Sequence, residues 1–444
     1  MQRAGADPPR YTPGVPTVRN FGRNLAFAPA RVARPASVQE LTALVRQSRQ
    51  VRAVGAAHSW SPAIVTDDTL VSLRRLRRPL ALDRERMQVT VQAGMRLREL
   101  NAYLDRHGLA LANLGSIDAQ SVAGVIATGT HGTGRGFPCL GAQVARLELI
   151  DGRGEAVTLA RGEPDFAGAV VALGALGIVH AVTFDVVPAF RLHDLTAALP
   201  FDEVIARIDE LCQAHDHFKV WWAVPCDEVI TFAFRRTQAP AGGGALRGYL
   251  RERVLSVAVY RALLTVGHLT GRRSIPAINR FLTAQVGRPF ERIRPSHRGF
   301  LTPSPPVHRE AEWAFDARQA STLLPAYREL LLQGGHRYNF IQELRCSAAD
   351  DLWLSPAYGR DTLWLSLYNI DRAGWPAQLA RFEAFARAHG GRPHWGKEAT
   401  FDRVYLRAHV PRLDDFARLC ERYDPEHKFR NPWLDAILDG AAAA

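Results

Sequence analysis

The chain has 444 residues, 47% of them hydrophobic and 23% charged, with 56 Lys and Arg against 44 Asp and Glu for a formal net charge of +12. That length exceeds one small core, so two or three domains are expected, and the composition is that of a soluble globular enzyme. The arginines are spread along the chain rather than gathered in a block, which disfavours nucleic acid as a partner. The five cysteines, Cys139, Cys212, Cys226, Cys346 and Cys420, are scattered, odd in number and lack a CxxC pair. They argue against a disulfide framework and a zinc site, and they fit a reducing compartment. The first residues, MQRAGADPPRYTPG, carry no apolar core, so no secretory signal is read there and a cytoplasmic location is expected.

In chain order, Ser37 followed by Glu40 reads as a capping box, opening a helix whose stripe is Val38, Leu41, Leu44 and Val45. Residues 51–54 are a short strand running into Gly55. Val89, Val91 and Ala93 alternate as a half-buried strand over 87–93. Leu97, Leu100 and Leu104 mark a helix over 96–107, stopped by Gly108. Residues 144–159 read as a hairpin turning at Asp151-Gly152. Residues 173–187 are glycine-punctuated, then strand-like. From about 191 longer helices appear among strands such as 218–224 and 363–368, which places a domain boundary near 190. Within 246–285 an apolar run, 254–266, is broken by Arg261 and flanked by Arg247, Arg251, Arg253, Arg272, Arg273 and Arg280. It is too short to span a bilayer. A helix pair packed on the second domain is the favoured reading, and a basic helix on an anionic membrane surface the other.

Five motifs carry chemistry. Gly55-Ala56-Ala57-His58-Ser59-Trp60 is a small-residue loop after a strand, suited to close backbone approach by a phosphate. Residues 121–134 run from Ser121 through a helix-compatible half into a loop of glycines and threonines around His131, suited to a pyrophosphate. This loop is neither a Rossmann fingerprint nor a Walker loop. Residues 174–179 form a glycine-bounded turn entering a strand. Glu343 and Arg345 sit two apart, on one strand face. His394-Trp395-Gly396-Lys397 follows a Gly-Gly-Arg-Pro turn. Taken singly, each has a plain structural explanation, and His131 reads best as a hydrogen-bond donor to the backbone.

Together and in this order, the motifs resemble those of the aldonolactone oxidase and alditol oxidase family, flavoproteins of the vanillyl-alcohol-oxidase type, over residues 20–440. The resemblance implies an α+β fold. After an N-terminal extension (1–23) come an FAD-binding domain (24–190), a cap or substrate domain (191–395), and a segment (396–444) returning to the FAD domain. It implies FAD bonded covalently to His58. Val54, Gly55, Ala56, Ala57 and Ser59, with Ser121, Gly124, Thr128, Thr130, His131 and Gly132, would wrap its pyrophosphate and ribityl chain. Ile178 and Val179 would lie near the adenine, His394 would stand beside the cofactor, and no metal is implied. By the same resemblance, Glu343, Arg345 and Lys397 act on the substrate and Ser116 touches it. Gly115 is the small residue that admits oxygen to the flavin.

The implied activity is an oxidase that moves hydride from an alcohol carbon of a gulono-, galactono- or arabinono-1,4-lactone to the flavin and then to O2, releasing hydrogen peroxide. Two features lean toward lactones. Tyr368 stands where alditol oxidases carry a smaller hydroxyl residue, and the 246–285 segment is closer to animal-type gulonolactone oxidases, which adds peripheral membrane contact as an expectation. An alditol oxidase acting on xylitol or sorbitol, or a lactone dehydrogenase with another electron acceptor, stays open within the flavin enzymes. A non-catalytic nucleotide- or membrane-binding protein is the reading from another class.

Overall fold

The computed structural model describes residues 17–439 apart from 244–245, 247, 249, 251, 253–256, 303–305 and 373. Three sheets organise the molecule. The first is parallel, with strands in the order Arg31–Ala33, Thr69–Ser72, Val51–Val54. Helix Val38–Gln47 makes the crossover and buries Leu41, Leu44 and Val45, as its 3.6-residue stripe requires. Its cap differs slightly from the sequence pattern. Ser37 accepts from the Glu40 amide at 3.1 Å, but the Glu40 carboxylate reaches back to Ala36 rather than to Ser37 (2.8 Å).

The second sheet is antiparallel, ordered Ala156–Ala160, Val144–Ile150, Ile178–Asp185, Gln88–Gln92, Pro79–Asp83. The expected tight turn at Asp151-Gly152 is a longer loop, because the Asp151 carboxylate accepts from the amides of Arg153 (2.9 Å) and Glu155 (2.8 Å) and supports residues 151–155 as a unit. Helix Leu97–Arg106 ends as expected at Gly108, whose φ is +70°.

The third sheet has eight strands, all antiparallel: Phe290–Pro295, Arg191–Pro200, Glu228–Thr237, His217–Trp222, Gln342–Ser347, Thr362–Asn369, Arg309–Asp316, Arg392–Pro393. Strand periodicity splits its central residues between two faces. One face carries Phe218, Val220, Trp222, Ala311, Trp313, Phe315, Leu344, Leu363, Leu365 and Leu367. These pack in one hydrophobic cluster with helices Phe201–Ala214, Ala320–Leu332 and Trp375–Ala388. The opposite face carries Lys219, Trp221, Glu310, Glu312, Glu343, Arg345, Ser366 and Tyr368, a polar set that a fully buried sheet tolerates only when every charge is answered.

One segment departs from expectation and one follows the favoured reading. Residues 17–23 belong to the packed structure rather than to an extension. Val18–Arg19 pairs with Ala26–Phe27, the Phe21 amide donates to Ala57 O (2.7 Å), and the side chains of Asn20 and Asn24 donate to the carbonyls of Ser59 and Trp60. The 246–285 segment contains helices Val257–Leu269 and Ile275–Val286, fastened to the rest by Asn279, which donates to the carbonyls of Val224 and Tyr338. Arg247, Arg251 and Arg253 lie outside the described residues. No helix among the described residues is long and apolar enough to cross a membrane.

The end of the chain returns to the first sheet. The Val51 amide donates to Lys428 O and the Trp60 amide to Gly396 O, both at 2.8 Å.

Candidate active site

Two cavities share His58, Ser59, Gln120 and Thr128, so they form one continuous cleft. The inner arm, about 120 Å³, runs from Val54, Gly55, Ala56 and Ala57 past Ser121 and Gly124 to Leu176, Gly177 and Val179. The outer arm, about 260 Å³, opens under the polar face of the eight-stranded sheet.

The inner arm is lined mainly by small residues and backbone. Ser121 caps helix Val122–Ala127, accepting from the Gly124 amide. Ala57 holds φ at +54°, and among the described residues no carbonyl accepts from the amides of Ala56, Ala57, His58 or Ser59. Amides turned outward in succession make a nest for an anion. Gly177 is required where it stands. Its φ is +154°, and a Cβ there would lie 2.4 Å from Ile150 O. Strand alternation corrects one sequence expectation: Val179 lines the cleft, whereas Ile178 is buried in the core beside it. Gly132 also stays outside the cleft wall. It serves close packing, since a Cβ would meet Asn113 Oδ1 and Leu114 O at 2.5 Å.

His58 stands at the junction of the two arms, stacked on Phe21 at 4.9 Å. Burial, with Arg96 and Lys397 nearby, lowers its pKa to about 4, so the imidazole is neutral at physiological pH. Its Nδ1 is buried without a hydrogen-bond partner, as is Oε1 of the neighbouring Gln120. Orphaned atoms of this kind in a cleft wall await a ligand.

The outer arm is built around Glu343. Its Oε1 accepts from Trp221 Nε1 (2.8 Å) and faces Lys219 Nζ (3.4 Å). Its Oε2 accepts from Arg345 (2.6 Å) and from the Tyr368 hydroxyl (3.3 Å). Burial by itself would raise this carboxyl, but Arg345 and Lys219 outweigh it and hold it down at about 2. Arg345 also donates to Ser116 Oγ (2.8 Å), while its Nε is buried without a partner. Lys219 pairs across the strands with Arg345 and is itself buried.

A second set descends from the strand Arg309–Asp316. Glu310 binds the ammonium of Lys397, which also lies 4.7 Å over the Trp60 ring; Lys397 is therefore paired rather than solvated. His131 and His308 repeat one arrangement. Each turns Nδ1 to a backbone carbonyl, Gly132 O at 2.9 Å and Pro306 O at 2.8 Å. Each turns Nε2 to a glutamate 3.4 Å away, Glu312 and Glu310 respectively. A carbonyl can only accept, so Nδ1 bears the hydrogen in each ring. His131 stacks on Trp364 at 3.7 Å. His394 lies beside it, its pKa lowered to about 3 by burial despite Glu312. Donor atoms of His131, Glu312 and His394 come within 4.8 Å of one another. The charge of Lys397 bears on both Glu312 and His394 and opposes a second cation there.

The cleft thus brings together Gly115, Ser116, Thr128, Thr130, His131, Glu343, Arg345, His394 and Lys397 with His58 and Ser59. Sequence reasoning missed Phe21, Lys219, Glu310 and Glu312. The signal for a polar strand face was present: in Arg-Glu-Ala-Glu-Trp-Ala-Phe, acidic and apolar residues alternate with period two, as in a strand with one polar side.

Comparison with known proteins agrees with this geometry. A family model described as D-arabinono-1,4-lactone oxidase matches residues 182–437, and one described as an FAD binding domain matches residues 29–160. The L-gulono-1,4-lactone dehydrogenase of Mycobacterium tuberculosis is 31% identical over 433 residues, covering 95% of this chain and 99% of that protein. The alditol oxidase of a Streptomyces species is 33% identical over 439 residues, covering 95% and 99%. The L-gulonolactone oxidase of Scyliorhinus torazame is 29% identical, covering 94% and 97%. A crystal structure of cholesterol oxidase from Brevibacterium sterolicum superposes with a TM-score of 0.80 at 16% identity, covering 98% of this chain and 100% of that one, which shows a shared fold. The residues fit FAD. The inner arm offers an amide nest inside the matched FAD-binding segment, and the orphaned His58 Nδ1 and Gln120 Oε1 lie at the junction with the charged outer arm.

Proposed function

The chain belongs to the D-arabinono-1,4-lactone oxidase family and is an FAD-dependent oxidoreductase, and on that premise we propose that it oxidises a carbinol of a sugar-derived 1,4-lactone in the outer arm of the cleft, with FAD bonded through His58. The observation that carries the reading is Arg345. Its guanidinium is anchored on Glu343 and Ser116 and lines the cavity, where it keeps a buried, unpartnered Nε, as His58 keeps Nδ1 and Gln120 Oε1. Bound FAD would supply the two-electron acceptor for the carbon being oxidised.

The protein's own groups do the rest. Arg345 and Lys397 present positive charge to the reacting oxygen and stabilise the negative charge that develops on it. Glu343 is saturated by four donors, so it serves as the anchor of Arg345 and not as a base. Ser116 offers its hydroxyl to a neighbouring oxygen of the substrate. Trp60, Phe340 and Tyr368 wall the cavity with aromatic surface and exclude water from the reacting carbon. At His58, a neutral imidazole with a free Nδ1 is the form able to bond an electrophilic carbon, which supports the tether.

The test is a substrate screen with L-gulono-, L-galactono- and D-arabinono-1,4-lactone beside xylitol and sorbitol, each in air with peroxide detection and under argon with a dye acceptor. Lactone turnover with stoichiometric peroxide is the expected result. Preference for polyols would move the assignment to alditols, and turnover with dye alone would make the protein a dehydrogenase. A protein that reduces its flavin with none of the five overturns the proposal.

A further inference from the structure

We infer that Lys219 is a positioning residue of the reaction, which by occupying one lone pair of Ser116 while Arg345 occupies the other turns the Ser116 hydroxyl into a fixed hydrogen-bond donor for the substrate. The inference rests on the reading of the outer arm as the lactone site and names what that site prefers.

The argument is one of hydrogen-bond capacity. A serine oxygen has two lone pairs and one proton. Arg345 Nη2 donates to Ser116 Oγ at 2.8 Å and Lys219 Nζ at 3.3 Å. Both are cations without an accepting atom, so neither takes the serine proton. With both lone pairs used, the O–H has one direction left, away from the two cations, and Ser116 lines the cavity. An acceptor-only oxygen, such as a lactone carbonyl, suits this donor better than a polyol hydroxyl that needs acceptors of its own.

Lys219 is held for the task. It is 4% exposed, lies within 5.2 Å of the Trp221 and Phe232 ring centres, and faces Glu343 at 3.4 Å. Beside it is a small cavity of about 40 Å³, walled in part by Asp194, Phe232, Arg292 and Arg294 and sharing Trp221, Leu301 and Thr302 with the outer arm, which is room for water.

The charge of Lys219 makes the device sensitive to pH. The groups bearing on it are Glu343 and Asp194, which favour the ammonium, and Arg345, which opposes it. Arg294 of the small cavity faces Asp194 at 3.6 Å. Burial dominates and lowers the Lys219 pKa to about 8. Below that value Lys219 only donates. Above it the neutral amine has a lone pair that accepts from Ser116, and the hydroxyl turns away from the substrate.

The test uses the flavin-loaded protein, its Lys219→Met and Ser116→Ala variants and the double variant. The dissociation constant of 2-deoxy-D-ribono-1,4-lactone, which keeps the carbonyl but lacks the hydroxyl beside it at C2, is read from the change in flavin absorbance between pH 6.5 and 9.5. Wild type is expected to lose about tenfold in affinity as pH rises through about 8. Lys219→Met should bind about tenfold more weakly at pH 7, without the alkaline step. In the Ser116→Ala background the lysine substitution should add nothing. Additive effects, or a step that survives in Ser116→Ala, overturn the inference alone. Should Lys219→Met fail to fold, the step in wild type and its loss in Ser116→Ala decide the matter by themselves. If neither this lactone perturbs the flavin spectrum nor L-gulono-1,4-lactone reduces the flavin, the functional reading falls and the inference with it.

Discussion

At the scale of residues, the outer arm is a balance of buried charge: Glu310, Glu312 and Glu343 against Lys219, Arg345 and Lys397. Burying any one of these alone would be prohibitive, and removing one partner leaves the other uncompensated, at a cost of about 3–5 kcal/mol. Glu343→Gln is therefore expected to destabilise the protein by about 3 kcal/mol at pH 7, measured by denaturant unfolding, and to weaken lactone binding by freeing Arg345. The pH dependence has a definite sign. The Glu343 pKa falls from 4.5 in the unfolded chain to about 2 in the fold. Its contribution is present in full above about 4.5 and is lost as pH drops through about 2. Wild type should thus lose stability steeply between pH 4.5 and 2, and Glu343→Gln less steeply. Parallel acid profiles for the two would contradict the balance described. His58, Glu343, Arg345 and Lys397 were legible in the sequence because each sits in a recognisable motif. Lys219 was not, since a single lysine in a run of aromatic and apolar residues has the same appearance whether it faces solvent or a buried glutamate.

At the scale of elements, period and cap were readable, and close approach was not. The helix over 38–47 and the strands over 51–54, 88–92 and 178–185 follow from apolar spacing. What the spacing does not state is how near two elements come. Gly94 shows this: a Cβ there would lie 2.0 Å from Leu73 O and 2.6 Å from Leu76 O, both backbone atoms that cannot swing aside. At Gly115 the nearest atom to such a Cβ is His131 O at 3.4 Å. Gly94→Ala is expected to cost about 2 kcal/mol or more by forcing the 73–76 segment away from the end of the Gln88–Gln92 strand. Gly115→Ala should leave stability within about 0.5 kcal/mol. Chemical denaturation of the two variants side by side checks the contrast; equal losses would contradict it. The N-terminal hairpin is the other case. Pro- and Gly-rich sequence around it reads as a tail, yet Asn20, Phe21 and Asn24 fasten it to the 57–60 loop.

At the scale of the whole molecule, distant parts of the chain meet at the cleft, and one buried side chain ties several of them. Arg52 donates to the carbonyls of Ala63, Leu173, Gly174 and Phe429, which span 366 residues of sequence from first to last. Burial lowers its pKa to about 10, opposed by nearby Asp424, so it remains charged. Arg52→Met would strand four carbonyls and is expected to cost at least about 3 kcal/mol. Residues 424–439 should then become sensitive to limited proteolysis, while unchanged resistance would show that the tail is held by other contacts. The fold class was legible because strands and helices mix along the chain and the order of the motifs resembles one family. The pairing of the eight strands was not, because strand neighbours such as Gln342–Ser347 and His217–Trp222 lie more than a hundred residues apart and no local pattern specifies which joins which.

The central claim is that this chain is an oxidoreductase carrying FAD on His58, and one measurement meets it directly. The purified protein is precipitated with acid, washed and redissolved, and its visible spectrum is compared with that of a His58→Ala variant treated alike. The account predicts flavin absorbance in the wild-type pellet and, for the variant, a colourless pellet under a yellow supernatant. A wild-type pellet without flavin, or a variant pellet that keeps it, would contradict the tether at His58.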